Sequence, residues 1–354
     1  MNRTVIYILL CILAIASLSC ERRPLVDTSE KVRVRVILMN KEVPNVTTGI
    51  YNSSIEVPDI TPGVIRVMFY DADTKNVTAQ GFISKKGVDE NGYDYIEGDV
   101  IVYPGTYNVV CYNFDTPSTL VADENNYNTI TAYTSEISDN LYSRFNTRAE
   151  EANPRIYYTP DHLLVAREKN VVIAEHTDIV EIVTEAHTVV DTYYVQIRLV
   201  NGRYASDATA VLTDLAPSNR FAVGERNYDE YAGIFFEMQR STDTRIRATN
   251  QDVLCAVFNT FGKRPDEIDP SLESKLYVTF NVIRVDGQVI EMTLNMDSIF
   301  KTEPAVQNNW LLIDKEFVIP EPDTPDPPPG GEDDKGMFDP TVEAWNKDEG
   351  FIDI

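Results

Sequence analysis

The residue best prepared for chemistry is Cys20. It follows Leu18-Ser19, and ahead of those runs an almost unbroken apolar stretch, Val5 to Ala16, with Arg3 as its positive flank. A stretch of that length is too short to stay as a permanent bilayer span and has the form of a cleaved leader. Small residues just before a cysteine mark the processing in which the leader is cut and the thiol acylated. The usual pattern has Leu three positions before the cysteine, where this chain has Ser17. Ordinary cleavage with Cys20 as a bystander is the alternative reading. On the acylation reading, residues 1–19 are a signal peptide and the mature chain starts at a membrane anchor. Each methylene of that anchor adds roughly 0.8 kcal/mol when buried in lipid. No second apolar run is long enough for a transmembrane helix.

Other reactive side chains do not converge on a site. The three histidines are His162, His176 and His187. His176 and His187 lie in or beside strand-like stretches with no cysteine or second histidine nearby, so they read as structural side chains and not as ligands. Asp71-Ala72-Asp73-Thr74-Lys75-Asn76 opens like a calcium loop. Lys75 occupies a ligand position there and no glycine follows at the sharp turn, so the segment reads as an acidic β-turn. There is no nucleophile elbow, phosphate-cradling glycine loop or paired-histidine motif. The expectation is a protein without catalytic residues, cofactor or metal. A net charge of −25 opposes nucleic acid and anionic lipid as partners. Of the four cysteines, Cys11 leaves with the leader. Cys111 and Cys255 sit in apolar strand-like runs and are expected to be buried free thiols of different domains.

The elements that must carry these residues are strands. Val32, Val34 and Val36 alternate with Arg33 and Arg35, and further strands are expected at 64–70, 76–84 and 106–114. Asn91-Gly92 and Pro104-Gly105 are turn signals. Residues 115–155 read as a long polar loop with short helical pieces, followed by one helical turn around Pro160–Leu164. In the second half, strands are expected at 179–190, 192–200, 208–213, 234–240, 252–261 and 310–319, with a hairpin of 276–285 and 289–296 closed by Asp286-Gly287. No helix of normal length is expected. The fold class is therefore all-β, two sandwiches in series: a tether at 20–31, an N-terminal sandwich at 32–165 and a C-terminal sandwich at 166–319. Residues 320–336 form a Pro-rich acidic linker. Its stiffest part, Pro320 to Gly331, reaches roughly 35 Å at about 3.1 Å per residue. The coda 337–354 carries Phe338, Trp345, Phe351 and Ile354 among acids, and these need a surface to cover them. A partner subunit or the chain's own domain could provide it.

Several segments in order, Cys20-Glu21-Arg22-Arg23-Pro24-Leu25, Asn45-Val46-Thr47-Thr48-Gly49, Pro104-Gly105-Thr106-Tyr107, Tyr112-Asn113-Phe114, Pro160-Asp161-His162-Leu163, Phe236-Glu237-Met238-Gln239 and Thr260-Phe261-Gly262-Lys263, resemble a family of Bacteroidales lipoproteins related to the fimbrillin superfamily. The resemblance implies two transthyretin-like β-sandwiches, an outer-membrane lipoprotein, and fimbrial or other surface subunits as partners. Fimbrillin stalk subunits are matured by cleavage after an arginine that follows the first strand, which opens a groove for a neighbour's strand. Here no arginine stands between Arg35 and Arg66. The first strand is therefore expected to stay, as in an anchor, a terminal subunit or a stand-alone surface protein, and the leading expectation is a fimbrial anchor or accessory subunit. A second class of function is a surface module for glycan or matrix, with Tyr127, Tyr133 and Tyr142 as contacts. A third is a hydrolase with carboxylates gathered in a groove.

Overall fold

The computed structural model describes residues 29–39, 61–138, 154–175, 179–241, 252–265 and 275–322. Its elements, in chain order, are β1 (Glu30–Met39), β2 (Ile65–Asp71), β3 (Val77–Ile83), β4 (Lys85–Val88), β5 (Asp94–Val102), β6 (Gly105–Asn113), β7 (Leu120–Ala122), β8 (Thr131–Tyr133), β9 (Arg155–Tyr158), β10 (Leu164–Ile173), β11 (Val180–Thr188) and β12 (Asp191–Val200). There follow β13 (Ala205–Thr213), β14 (Ser218–Arg220), β15 (Glu225–Arg226), β16 (Ala232–Glu237), β17 (Gln239–Ser241), β18 (Asp252–Thr260), β19 (Tyr277–Arg284), β20 (Val289–Asn295), α1 (Asp297–Phe300), α2 (Glu303–Asn308) and β21 (Trp310–Val318). The protein is all-β, as its alternation implies. The Asn91-Gly92 turn joins β4 to β5 with Gly92 at φ +84°, and Asp286-Gly287 joins β19 to β20 with Gly287 at φ +83°. Only glycine takes that backbone region without strain.

The first body is one eight-stranded sheet in the order β3-β2-β6-β10-β11-β1-β5-β4. It rolls until β3, at one edge, lies over β5, next to the other. Two glycines permit the approach. A Cβ on Gly81 would stand 2.9 Å from Val100 Cγ2, and one on Gly98 would stand 2.6 Å from Ile83 Cγ2. Inside the roll lie Val32, Val34, Val36, Ile65, Val67, Phe69, Ile96, Val109, Cys111 and Leu164.

The second body stacks two sheets, β17-β18-β12-β21 and β20-β19-β13-β16-β9. Ile197, Leu199, Leu212, Phe236, Phe258, Phe280 and Leu311 fill the space between them, with the Phe236 and Phe258 rings stacked at 4.2 Å. The short α1 and α2, which the sequence did not announce, connect β20 to β21. Cys111 and Cys255 are both buried thiols outside any disulfide, one in each body.

Three expectations need correction. The division at 165/166 does not separate the bodies, because β10 pairs with β6 and β11 pairs with both β10 and β1. The chain enters the second body briefly at β9, which runs parallel to β16, returns for β10 and β11, and changes body for good at Val189-Val190. The polar break before 166 marked a loop and not a change of core. Second, residues 159–163 form an irregular segment with no helical turn. Third, the described part of 115–155 contains β7, β8, β9 and turns in place of helical pieces.

Candidate functional site

Two places hold the chain in a particular arrangement: the seat of β1 and the joint between the bodies. Strand β1 is central in its sheet. It runs parallel to β11 from Val32↔Val180 to Met39↔His187, and antiparallel to β5 from Glu30↔Val102 to Ile37↔Tyr95. Val32, Val34, Val36 and Leu38 are buried beneath it. At about 1.5–3 kcal/mol for each buried aliphatic side chain, these four stabilise the body on the scale of a domain's whole net stability.

The opposite face of β1 carries a ladder of charges. Lys31 Nζ is 2.6 Å and Arg33 Nε 3.1 Å from the Asp99 carboxylate. Arg35 Nη2 is 2.7 Å and Lys85 Nζ 2.6 Å from Glu97, and the Arg35 guanidinium lies 4.5 Å above the Tyr95 ring. The donated hydrogen bonds hold both carboxyls below their ordinary range, chiefly from Lys85 on Glu97 and from Lys31 on Asp99.

At the joint, two of the segments singled out in the sequence come together beside Asn259, the residue just ahead of a third. Asn113 Nδ2 donates to the His162 carbonyl (3.0 Å), and the Leu164 amide donates to Asn113 Oδ1 (2.7 Å). Asn259 Nδ2 donates to the Pro160 carbonyl (2.8 Å), which leaves its Oδ1 to accept from the Thr192 hydroxyl (2.7 Å). With that proton committed, Thr192 Oγ1 accepts from His162 Nε2–H at 2.8 Å, and Nδ1 faces Thr188 Oγ1 at 3.2 Å. The network thus assigns the Nε2–H tautomer. Burial lowers the His162 pKa to about 4, against a weaker opposing pull from Asp161. The ring is a neutral bridge between β11 of the first body and β12 and β18 of the second.

An apolar layer surrounds this bridge. Tyr112 meets Phe221 edge to face at 5.1 Å, and Leu163, Val190, Ala216 and Phe261 are fully buried beside them. A small sheet, β15-β14-β8-β7, draws two strands from each side, with Ser218 opposite Tyr133 and Asn219 opposite Ala132. The two bodies share a core and a sheet.

Cys20, Phe338, Trp345, Phe351, Ile354, His176 and Tyr142 lie outside the described residues. Tyr127 is no surface contact. It is buried against Tyr70, their rings at 5.7 Å, while Tyr133 is half-buried in β8. His187 stands on the outer face of β11, 3.8 Å from Glu185. Burial pushes the Asp191 carboxyl upward, but its close neighbour is the Arg226 guanidinium at 3.1 Å, an ion pair at the joint. Asp71 closes its turn by accepting from the Asp73 and Thr74 amides at 3.1 and 2.7 Å, as an acidic β-turn should. Among the described residues no group of His, Cys, Asp and Glu is placed to hold a metal. Sequence reasoning missed the exposed pair Phe82 and Phe114, 5.3 Å apart, with Arg66 lying over both rings. Nothing in their local spacing marks them as neighbours.

Comparison with known proteins follows the same lines. A Bacteroides ovatus protein called "Putative fimbrium anchoring subunit Fim4B" is 22% identical over 83% of this chain and 85% of its own length. The crystal structure of a candidate adhesin from Bacteroides ovatus superposes with a TM-score of 0.55 at 20% identity, covering 87% of this chain and 99% of that one. The fimbrial anchor protein Mfa2 from Porphyromonas gingivalis is more distant, at 11% identity, 82% and 90% coverage and a TM-score of 0.45. The model of the family described as "Domain of unknown function (DUF5119)" matches residues 19–237, which takes in the whole first body and the chain through β16. The chain belongs to that family.

Proposed function

We propose that this protein is a lipid-tethered, non-catalytic subunit of a surface fimbria, acting at the outer membrane as its anchor or as an accessory subunit. The observation that carries the reading is where the chain enters and leaves. Strand β1 enters beside the start of β11, and Ile319 leaves beside the end of β12, its amide donating to the Val200 carbonyl at 3.0 Å. Strands β11 and β12 meet at the joint, so entry and exit each lie at the end of their body away from it. The exit is held by Asn201 Nδ2 on the Ile319 carbonyl (3.1 Å) and Arg284 Nη1 on the Pro320 carbonyl (3.1 Å). An element between a membrane and a fibre requires such polarity.

The seat of β1 supports an anchor over a stalk subunit. Arg33 and Arg35 lie within a strand paired on both sides, where a protease cannot reach the backbone without unfolding the sheet. On this reading both bodies are transthyretin-like sandwiches, Cys20 carries the lipid, and the coda with Phe338, Trp345, Phe351 and Ile354 docks on a partner subunit beyond the linker. The name of the Bacteroides ovatus relative points the same way. Growing cells with a palmitate analogue should label the wild-type chain and leave Cys20→Ala unlabelled and released from the membrane fraction. Equal labelling of the two, or retention of Cys20→Ala in membranes, refutes the tether.

A further inference from the structure

We infer that the free end of the first body rests on a zwitterionic phospholipid surface through a rim of apolar side chains, an inference that rests on the tether just proposed. The rim is made by Ile101, Tyr103, Val172 and Ile179, which are 58%, 62%, 66% and 49% exposed. Single exposed aliphatics are ordinary on protein surfaces. These four are not scattered. Ile101 stands directly opposite Lys31 in the β1–β5 register, and Ile179 immediately precedes Val180, the partner of Val32, so the two isoleucines flank Lys31 across three neighbouring strands. Tyr103 lies two residues past Ile101, its carbonyl held by the Tyr107 hydroxyl at 2.8 Å. Val172 closes the same end from β10, opposite Thr106.

This is the end at which β1 begins, and it lies away from the joint. From Cys20 to Ser29 the chain spans at most about 30 Å when fully extended, and on the order of 17 Å as a flexible coil. A lipid on Cys20 would therefore keep this end of the first body, with its rim, close to the bilayer. The charged groups of the same end agree with a neutral surface. Lys31 is paired with Asp99 and the Lys75 ammonium donates to the Ala72 carbonyl, while Glu30, Asp71, Asp73 and Glu175 would be repelled by anionic headgroups. Tyrosine and branched aliphatics suit the boundary between headgroups and acyl chains.

The test uses the chain from Cys20 to Ile354, with the Cys20 thiol coupled to a maleimide lipid in phosphatidylcholine vesicles whose acyl chains are brominated. Cys111 and Cys255 are buried and do not compete. Tyr103→Trp and Val306→Trp each add one indole to the native Trp310 and Trp345, whose emission is subtracted using the parent chain on the same vesicles; the second is at a site 71% exposed on α2 of the other body. The expected result is that the indole at 103 loses most of its emission to the brominated lipid while that at 306 keeps its own. Equal emission from both, or burial of the rim in a dimer seen by light scattering with no quenching, overturns the inference. If Tyr103→Trp fails to fold by circular dichroism, Ile179→Trp reports on the same rim. Chemical coupling makes the outcome independent of natural acylation, so a failed tether appears only in the palmitate experiment.

Discussion

The first and second bodies are both closed by β-sheet faces, yet they reach closure differently. The first rolls a single sheet onto itself, so each strand depends on partners distant in sequence, and β1 cannot leave without opening the core. The second stacks two sheets, and its β12–β18 and β19–β20 pairings run in unbroken register. Between them the chain passes back and forth, giving β9 to the second body before completing the first with β10 and β11. Two bodies in series along an axis are therefore not two independent lengths of chain.

That comparison breaks most visibly if the chain is cut where its polarity suggests. Residues 24–165 expressed alone would lack nearly all of β10 and the whole of β11, leaving β6 and β1 each paired on one side only. Residues 166–322 would lack β9 and His162. Neither fragment should show a cooperative thermal melt, whereas 24–322 should. A cooperative melt from 24–165 would mean that the roll closes without β10 and β11.

A smaller effect should appear at the joint on acidification. His162 takes up a proton less readily folded than unfolded, so stability is full above pH 6.5 and declines as the pH falls toward its folded pKa of about 4. The loss should be about 1.4 kcal/mol by pH 5.5, approaching about 3 kcal/mol near pH 4. Urea titrations of wild type and His162→Gln across that range measure it. The variant should be less stable at pH 7.5 and have a flatter profile, and parallel profiles would show that His162 does not report the joint.

The smallest effect belongs to the ladder on β1. Arg33 and Asp99 are both in reach of solvent and screened, so the double-mutant cycle of Arg33→Gln with Asp99→Asn should give a coupling within the error of replicate melts, shrinking further in high salt. A large coupling would mean that the outer face of β1, and not its buried valines, holds the strand.

Much of this protein is legible from local sequence. Alternation at Val32, Val34 and Val36 marks β1, and glycines after Asn91 and Asp286 mark two hairpins, because strand side chains alternate faces and positive φ selects glycine. The alternation of β11 is equally visible while β10 was not expected as a strand, and nothing local says which sheet either joins. That depends on pairing β10 with β6 and β11 with β1, which only the closed core decides. His162 makes the same point within one residue. Its segment stood out in the sequence, but its neutral, bridging state comes from Asn113, Thr188, Thr192 and Asn259, brought together by the joint. Local spacing marked most of the long strands and two hairpin turns, and singled out Cys20 as the residue expected to carry a lipid. Tertiary structure alone decided the membership of the two bodies, the central seat of β1 and the gathering of Ile101, Tyr103, Val172 and Ile179 on one rim, because each of these depends on contacts between residues far apart along the chain.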